Sequence, residues 1–204
     1  MPNHVINHLK FKDLTIDDQN FIIQLLTTLE ETKLSKATKS ATTRFDFNKI
    51  IPEPRTEDEC PEDCLVTPDS HVMKDEQKPW FDWYAWHNKY WGTKWNAYET
   101  YTITGKDGLD DDSYYVEFEF QTAWSAPMLI INKLKLLGYH MEYKFADEDW
   151  GNNCGEGVFN PEDGEDWSFT YERDMEDPRR FALELWGYDY DEILEEEEGD
   201  SDGD

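Results

Sequence analysis

The chain has 204 residues, and 15% of them are aromatic, including nine Trp; that is ample apolar bulk for one domain of ordinary size. Acids outnumber Lys plus Arg by 47 to 19, for a formal net charge of −28, which excludes binding of nucleic acid or anionic membrane through phosphate-neutralising cations. Three cysteines, Cys60, Cys64 and Cys154, are an odd number that makes no disulfide framework and fits a reducing bacterial cytoplasm.

From the N-terminus, "MPNHVINHLKF" lacks the apolar core of a secretion signal, and the longest apolar run, "MLII", is too short to span a membrane. Residues 5–11 alternate apolar and polar and predict a strand. Residues 15–34 carry Phe21, Ile22, Leu25, Leu26 and Leu29 at helical spacing. Thr15 or Asp17 can cap that helix, and Asp17 and Asp18 suit the positive end of its dipole. Residues 42–54 are β-rich and stop at Pro52 and Pro54. Residues 53–79, rich in Pro and acids, read as a solvated insertion loop. Residues 79–92 predict a helix with Pro79 in its first turn and Gly92 as its stop. Residues 94–104 and 114–124 predict a hairpin around a turn at 106–113, with Val116, Phe118 and Phe120 on one face. Residues 125–138 predict a helix between an N-cap Ser125 and a closing Gly138. Strands at 140–148, 155–159 and 167–172 and a short helix at 177–188 follow. Residues 189–204 read as a disordered acidic tail.

This order predicts an α+β fold with helices on one face of an antiparallel sheet, for which a split βαββαβ is the simplest compact solution. The domain expected is 1–160, with an acidic strand–helix extension over 161–188 packed on it and the tail beyond. An open sheet edge leaves both a monomer and a homodimer as expectations.

Chemistry-bearing motifs are sparse. Cys60 and Cys64, spaced C-x3-C, with His71 beyond them, lack the second pair that a structural zinc site needs, so they read as surface thiols on a loop. The acidic loops at 106–113 and 145–153 miss the glycine and glutamate positions of a calcium-binding loop. No nucleophile elbow, phosphate-cradling loop or His-Glu-x-x-His occurs, and the histidines are scattered; His8 and His87 read as structural side chains on element faces. Neither an enzyme, a cofactor nor a dedicated metal site is expected. The aromatic stretch "KYWGTKWNAYE" (89–99) has only Lys89 and Lys94 beside it, too few for a base-stacking platform, so Trp91 and Trp95 read as core.

The acids are unevenly placed. Residues 1–102 hold 17 acids and 12 bases, while residues 103–204 hold 30 acids and 7 bases. Duplex DNA carries about one negative charge per 1.7 Å of axis, and a folded surface of carboxylates can copy that field inside a basic cleft. The candidate partner-binding residues are Asp147, Glu148, Asp149, Glu156, Glu162, Asp163, Glu165, Asp166, Glu172, Asp174, Glu176, Asp189, Asp191 and Glu192.

Taken together, "MPNHVINHLKF", "FDFNKIIPEP", "WYAWHNKYWGTKWNA" and "FQTAWSAP" resemble proteins with a YubB-type ferredoxin-like domain, found on phages, prophages and plasmids. The resemblance runs from residue 1 to about 160 and implies the α+β ferredoxin-like architecture and a mobile-element origin. It brings no catalytic residues. The expected function is therefore binding and inhibition of a basic host nucleic-acid-handling protein, such as a CRISPR effector or restriction enzyme, by nucleic-acid mimicry. The alternative is an accessory protein of replication or conjugation whose sheet binds a protein partner while the acids only solubilise it.

Overall fold

A computed structural model describes residues 3–33, 39–67, 76–107, 112–164 and 166–201. The first strand, His4–Leu14 (β1), alternates as its sequence requires: Val5, Leu9 and Phe11 are buried on one face, and Ile6, His8 and Lys10 line the other. Helix Ile16–Leu26 (α1) starts in a capping box, in which the Asp18 N–H donates to Thr15 Oγ1 while the Asp18 carboxylate accepts from the Thr15 N–H. It ends eight residues before the sequence pattern suggested. Thr27–Lys33 (β2) pairs instead with Lys39–Phe45 (β3), because the β-branched Thr27 and Thr28 open a segment whose partner strand follows at once.

The predicted solvated loop is also packed more closely than its composition implied. Its described part, up to residue 67 and from residue 76, forms short 3₁₀ turns and buries Cys60 and Cys64, and Leu65 bridges to Phe81. Helix Trp83–Tyr90 (α2) is capped by Asp82, which accepts from the Ala85 N–H, so Pro79 lies before the helix rather than in its first turn. Gly92, at φ +80°, does provide the stop, a left-handed position that favours glycine.

The hairpin is Tyr98–Lys106 (β4) and Tyr114–Ala123 (β5), and β4 starts four residues later than predicted. Helix Met128–Leu134 (α3) runs into a 3₁₀ turn that closes at Gly138. Ser125 does not cap α3; its hydroxyl donates to the Gly92 carbonyl at 2.6 Å and ties the two loops together. Strands His140–Asp147 (β6), Cys154–Phe159 (β7) and Ser168–Tyr171 (β8) follow, then helices Pro178–Leu185 (α4) and Tyr190–Ser201 (α5). The segment expected as a disordered tail is thus helical over most of its length. Its glutamates are good helix formers, and Asp189 accepts from the Asp191 and Glu192 N–H groups at its start.

The sheet has the order β4-β5-β1-β6-β7-β8, with antiparallel neighbours throughout. Its first four strands, with α1 and α3 as crossovers, are the split βαββαβ arrangement of a ferredoxin-like domain. The β2–β3 hairpin and α2 are inserted between α1 and β4, and β7 and β8 widen the sheet beyond β6. One core fills the face bearing α1 and α3, around Phe11, Phe45, Phe118, Phe120 and Trp91. The structure adds a helix on the opposite face, where α4 packs Ala182 against Ala146 and Cys154, with Ile6 and Trp186 beside them. At the widened edge, two glycines leave room for aromatic rings. A Cβ on Gly157 would lie 2.6 Å from the Phe169 ring, and one on Gly155 would lie 2.8 Å from the Phe145 ring.

Candidate functional site

The fourteen acids do not form one site. Glu148 and Asp149, Glu162, Asp163 and Asp166, Asp174 and Glu176, and Asp189, Asp191 and Glu192 are exposed, in the loops that flank β7 and β8 and at the start of α5. Glu165 lies outside the described residues. Three assignments change character. Asp147 is buried, accepts from Asn3 Nδ2, Asn153 Nδ2 and the Asp149 N–H, and so fastens the 147–153 loop. Glu156 points from β7 across the sheet to Lys144 at 3.5 Å, and Glu172 is half-buried in the turn after β8. Asp166 pairs with Lys135 and Asp174 with Arg173. Seven bases in the C-terminal half cannot neutralise thirty acids, so the exposed carboxylates give that half a strong negative field.

The stretch 89–99 separates into two roles. Trp91 is fully buried, stacks on His87 at 4.0 Å between centroids and donates from Nε1 to the Ile51 carbonyl. Trp95 is 37% exposed, contrary to its predicted core position, because β4 begins only at Tyr98. Lys94 stands over the rings of Trp95 and Trp124, 4.7 and 4.4 Å from their centroids. His87 fulfils its structural reading: Nε2 meets Glu53 at 2.8 Å and Nδ1 meets the Lys94 carbonyl at 2.8 Å. The His87 hydrogen bond holds the Glu53 carboxyl below the usual glutamate range against the opposing effect of burial, with Lys78 adding to the effect.

The cysteines are buried, not surface thiols. Burial, reinforced by Asp63, pushes Cys64 up to about 11; burial also pushes Cys154 up to about 11 and raises Cys60. Thiols so placed are inert packing groups. His71 lies outside the described residues.

What sequence reasoning missed is the face of the sheet left open beside α4. His8 on β1 stands opposite Glu119 on β5, and Lys10 stands opposite Glu117. The period-2 patterns "HLK" and "EFE" therefore place His8, Lys10, Glu117 and Glu119 on one face. His8 Nδ1 lies 3.1 Å from Glu117 Oε1 and 3.8 Å from Glu119 Oε1. Glu117 is held below the usual carboxylate range by its His8 hydrogen bond, with Lys10 and Lys144 acting in the same direction against burial. A cavity of about 250 Å³ opens above this group, lined by Lys10, Glu142, Lys144 and Leu185 of α4. The facing patterns were visible in the sequence, but their register, and hence their meeting, was not.

The fold and this charged sheet face define an α+β protein built on a ferredoxin-like sheet, with 47 carboxylates and no recognisable catalytic motif. The chain belongs to the family described as the ferredoxin-like domain in Api92-like protein, which matches residues 91–198. The match begins at Trp91, takes in β4 through β8 and α4, and ends within α5, so it crosses the boundary near 160 that the sequence suggested. Neither the curated proteins nor the solved structures contain a match. Among the described residues, no helix is long and apolar enough to cross a membrane.

Proposed function

We propose that the protein is a non-enzymatic inhibitor, carried by a phage or other mobile element, that acts in the bacterial cytoplasm on a basic nucleic-acid-handling host protein. A CRISPR effector or a restriction enzyme is the class of target that suits it. The carrying observation is the placement of the acids: thirty lie in residues 103–204 against seven bases, and Glu148, Asp149, Glu162, Asp163, Asp166, Asp174 and Glu176, with Asp189, Asp191 and Glu192 at the start of α5, are exposed on a folded frame. Carboxylates fixed on such a frame present an ordered negative field to a cleft that evolved to hold phosphates. They also speed encounter with a basic partner. The YubB-type resemblance of the N-terminal and aromatic motifs supports the mobile-element part of this reading.

The test is association with purified nucleic-acid-handling effectors over a salt series. Affinity falls steeply as salt rises, and charge neutralisation at Glu162, Asp163 and Asp166, or truncation after Tyr188, weakens it. Affinity insensitive both to salt and to these changes overturns the mimicry and leaves the sheet as a protein-binding module, with acids that serve solubility alone.

A further inference from the structure

The open face of the sheet carries a second, chemically distinct feature. We infer that His8, Glu117 and Glu119 form a three-ligand site for a zinc-class divalent cation, whose remaining coordination position opens into the cavity beneath Leu185. One candidate ligand atom from each side chain lies within 4.8 Å of the other two, and among the described residues this is the one such grouping of three. The spacing fits a shared ion. Zinc-class metals bind imidazole nitrogen and carboxylate oxygen at roughly 2.0–2.2 Å. With arms of that length, the 3.1 and 3.8 Å separations from His8 Nδ1 to the two glutamates correspond to angles of about 95° and 130° at the metal, within the range of a distorted tetrahedral or open site.

The ligands sit on rigid strands rather than loops. His8 and Glu119 are opposite each other in the β1–β5 register, and Glu117 is two residues away on the same face. Both strands are interior to the six-stranded sheet, so ladders on each side hold the backbone in place. The donor set of one nitrogen and two carboxylates favours a transition-type cation over calcium or magnesium, which select all-oxygen sites. His8 Nε2 is itself buried without a hydrogen-bond partner, so the ring meets polar groups only through Nδ1, the atom aimed at the glutamates. Two carboxylates converge on this one ring, and a bound dication neutralises both. Lys10, Lys144 and Glu142 line the adjoining cavity, so its walls are polar and of mixed charge, and water is the fourth ligand they accommodate.

The competing account is a purely structural triad, in which His8 bridges the glutamates by hydrogen bonding and any metal associates diffusely with the many surface acids. Two measurements on the full chain separate them. Zinc is titrated while the histidine ring nitrogens are followed by NMR. The His8 resonances move to metal-bound positions at one equivalent, while His87, which already has two partners, stays in place. Cobalt(II) supplies the second reading through its visible absorption, which marks ordered low-coordinate binding. That absorption is lost in His8→Gln and in Glu119→Gln, and it is retained in Glu192→Gln on α5. Unmoved His8 resonances, or cobalt bands of equal strength in His8→Gln, overturn the site. If a substituted chain does not fold, the wild-type NMR titration decides alone.

Discussion

At the scale of single residues, neighbours in the chain have opposite roles. Trp91 is enclosed by Phe47, Trp86 and His87, with its indole N–H bonded to a backbone carbonyl, whereas Trp95 lies four residues on at the surface. Trp91→Ala is expected to cost about 3–5 kcal/mol by urea unfolding, and Trp95→Ala about 1 kcal/mol or less. Equal losses would contradict the assignment. Both tryptophans were predicted as core, since composition shows that aromatics are buried but not which of two in one loop is left outside. The Glu53 carboxyl gives a pH signature. Its folded value lies below the ordinary 4.5, so its stabilising contribution is complete above 4.5 and is lost as pH falls below that value toward the lowered one. A urea series from neutral pH downward shows stability falling through that window, and Glu53→Gln flattens the fall. An unchanged slope in Glu53→Gln would assign the acid sensitivity to other carboxylates.

At the scale of elements, most strands were readable because a half-buried strand alternates, as β1, β5 and β6 do. Helix ends were less readable. The apolar spacing of α1 continues through Leu29, yet pairing with β3 takes over at Thr27, a tertiary contact that no local pattern announces. Likewise Ser125 has the composition of a cap but bonds a distant loop. Strand β7 and the edge strand β8 meet through glycines that leave room for rings. Gly157→Ala places a Cβ against Phe169 and is expected to cost about 1–3 kcal/mol by overpacking. Hydrogen exchange should then show β8 amides losing protection while β1 and β5 keep theirs. Protection lost equally across all strands would contradict local docking of this edge.

At the scale of the whole molecule, a ferredoxin-like sheet carries a charge distribution that its fold does not need. The acids were countable in the sequence, but which of them face solvent was not: Asp147 turned out to fasten a loop, and Glu156 to pair across the sheet. The convergence of His8 with Glu117 and Glu119 was equally hidden, since 109 residues separate His8 from the nearer partner and only strand register joins them. The function proposed for this protein is occupation, by its exposed carboxylates, of a cleft built for nucleic acid. Its most direct measurement is capture of a purified CRISPR effector or restriction enzyme on the immobilised protein, followed by elution with duplex DNA at constant ionic strength. DNA is expected to displace the captured protein in a concentration-dependent way, and a chain truncated after Tyr188 and neutralised at Glu162, Asp163 and Asp166 to retain less of it. Capture that duplex DNA leaves undisturbed would contradict the claim.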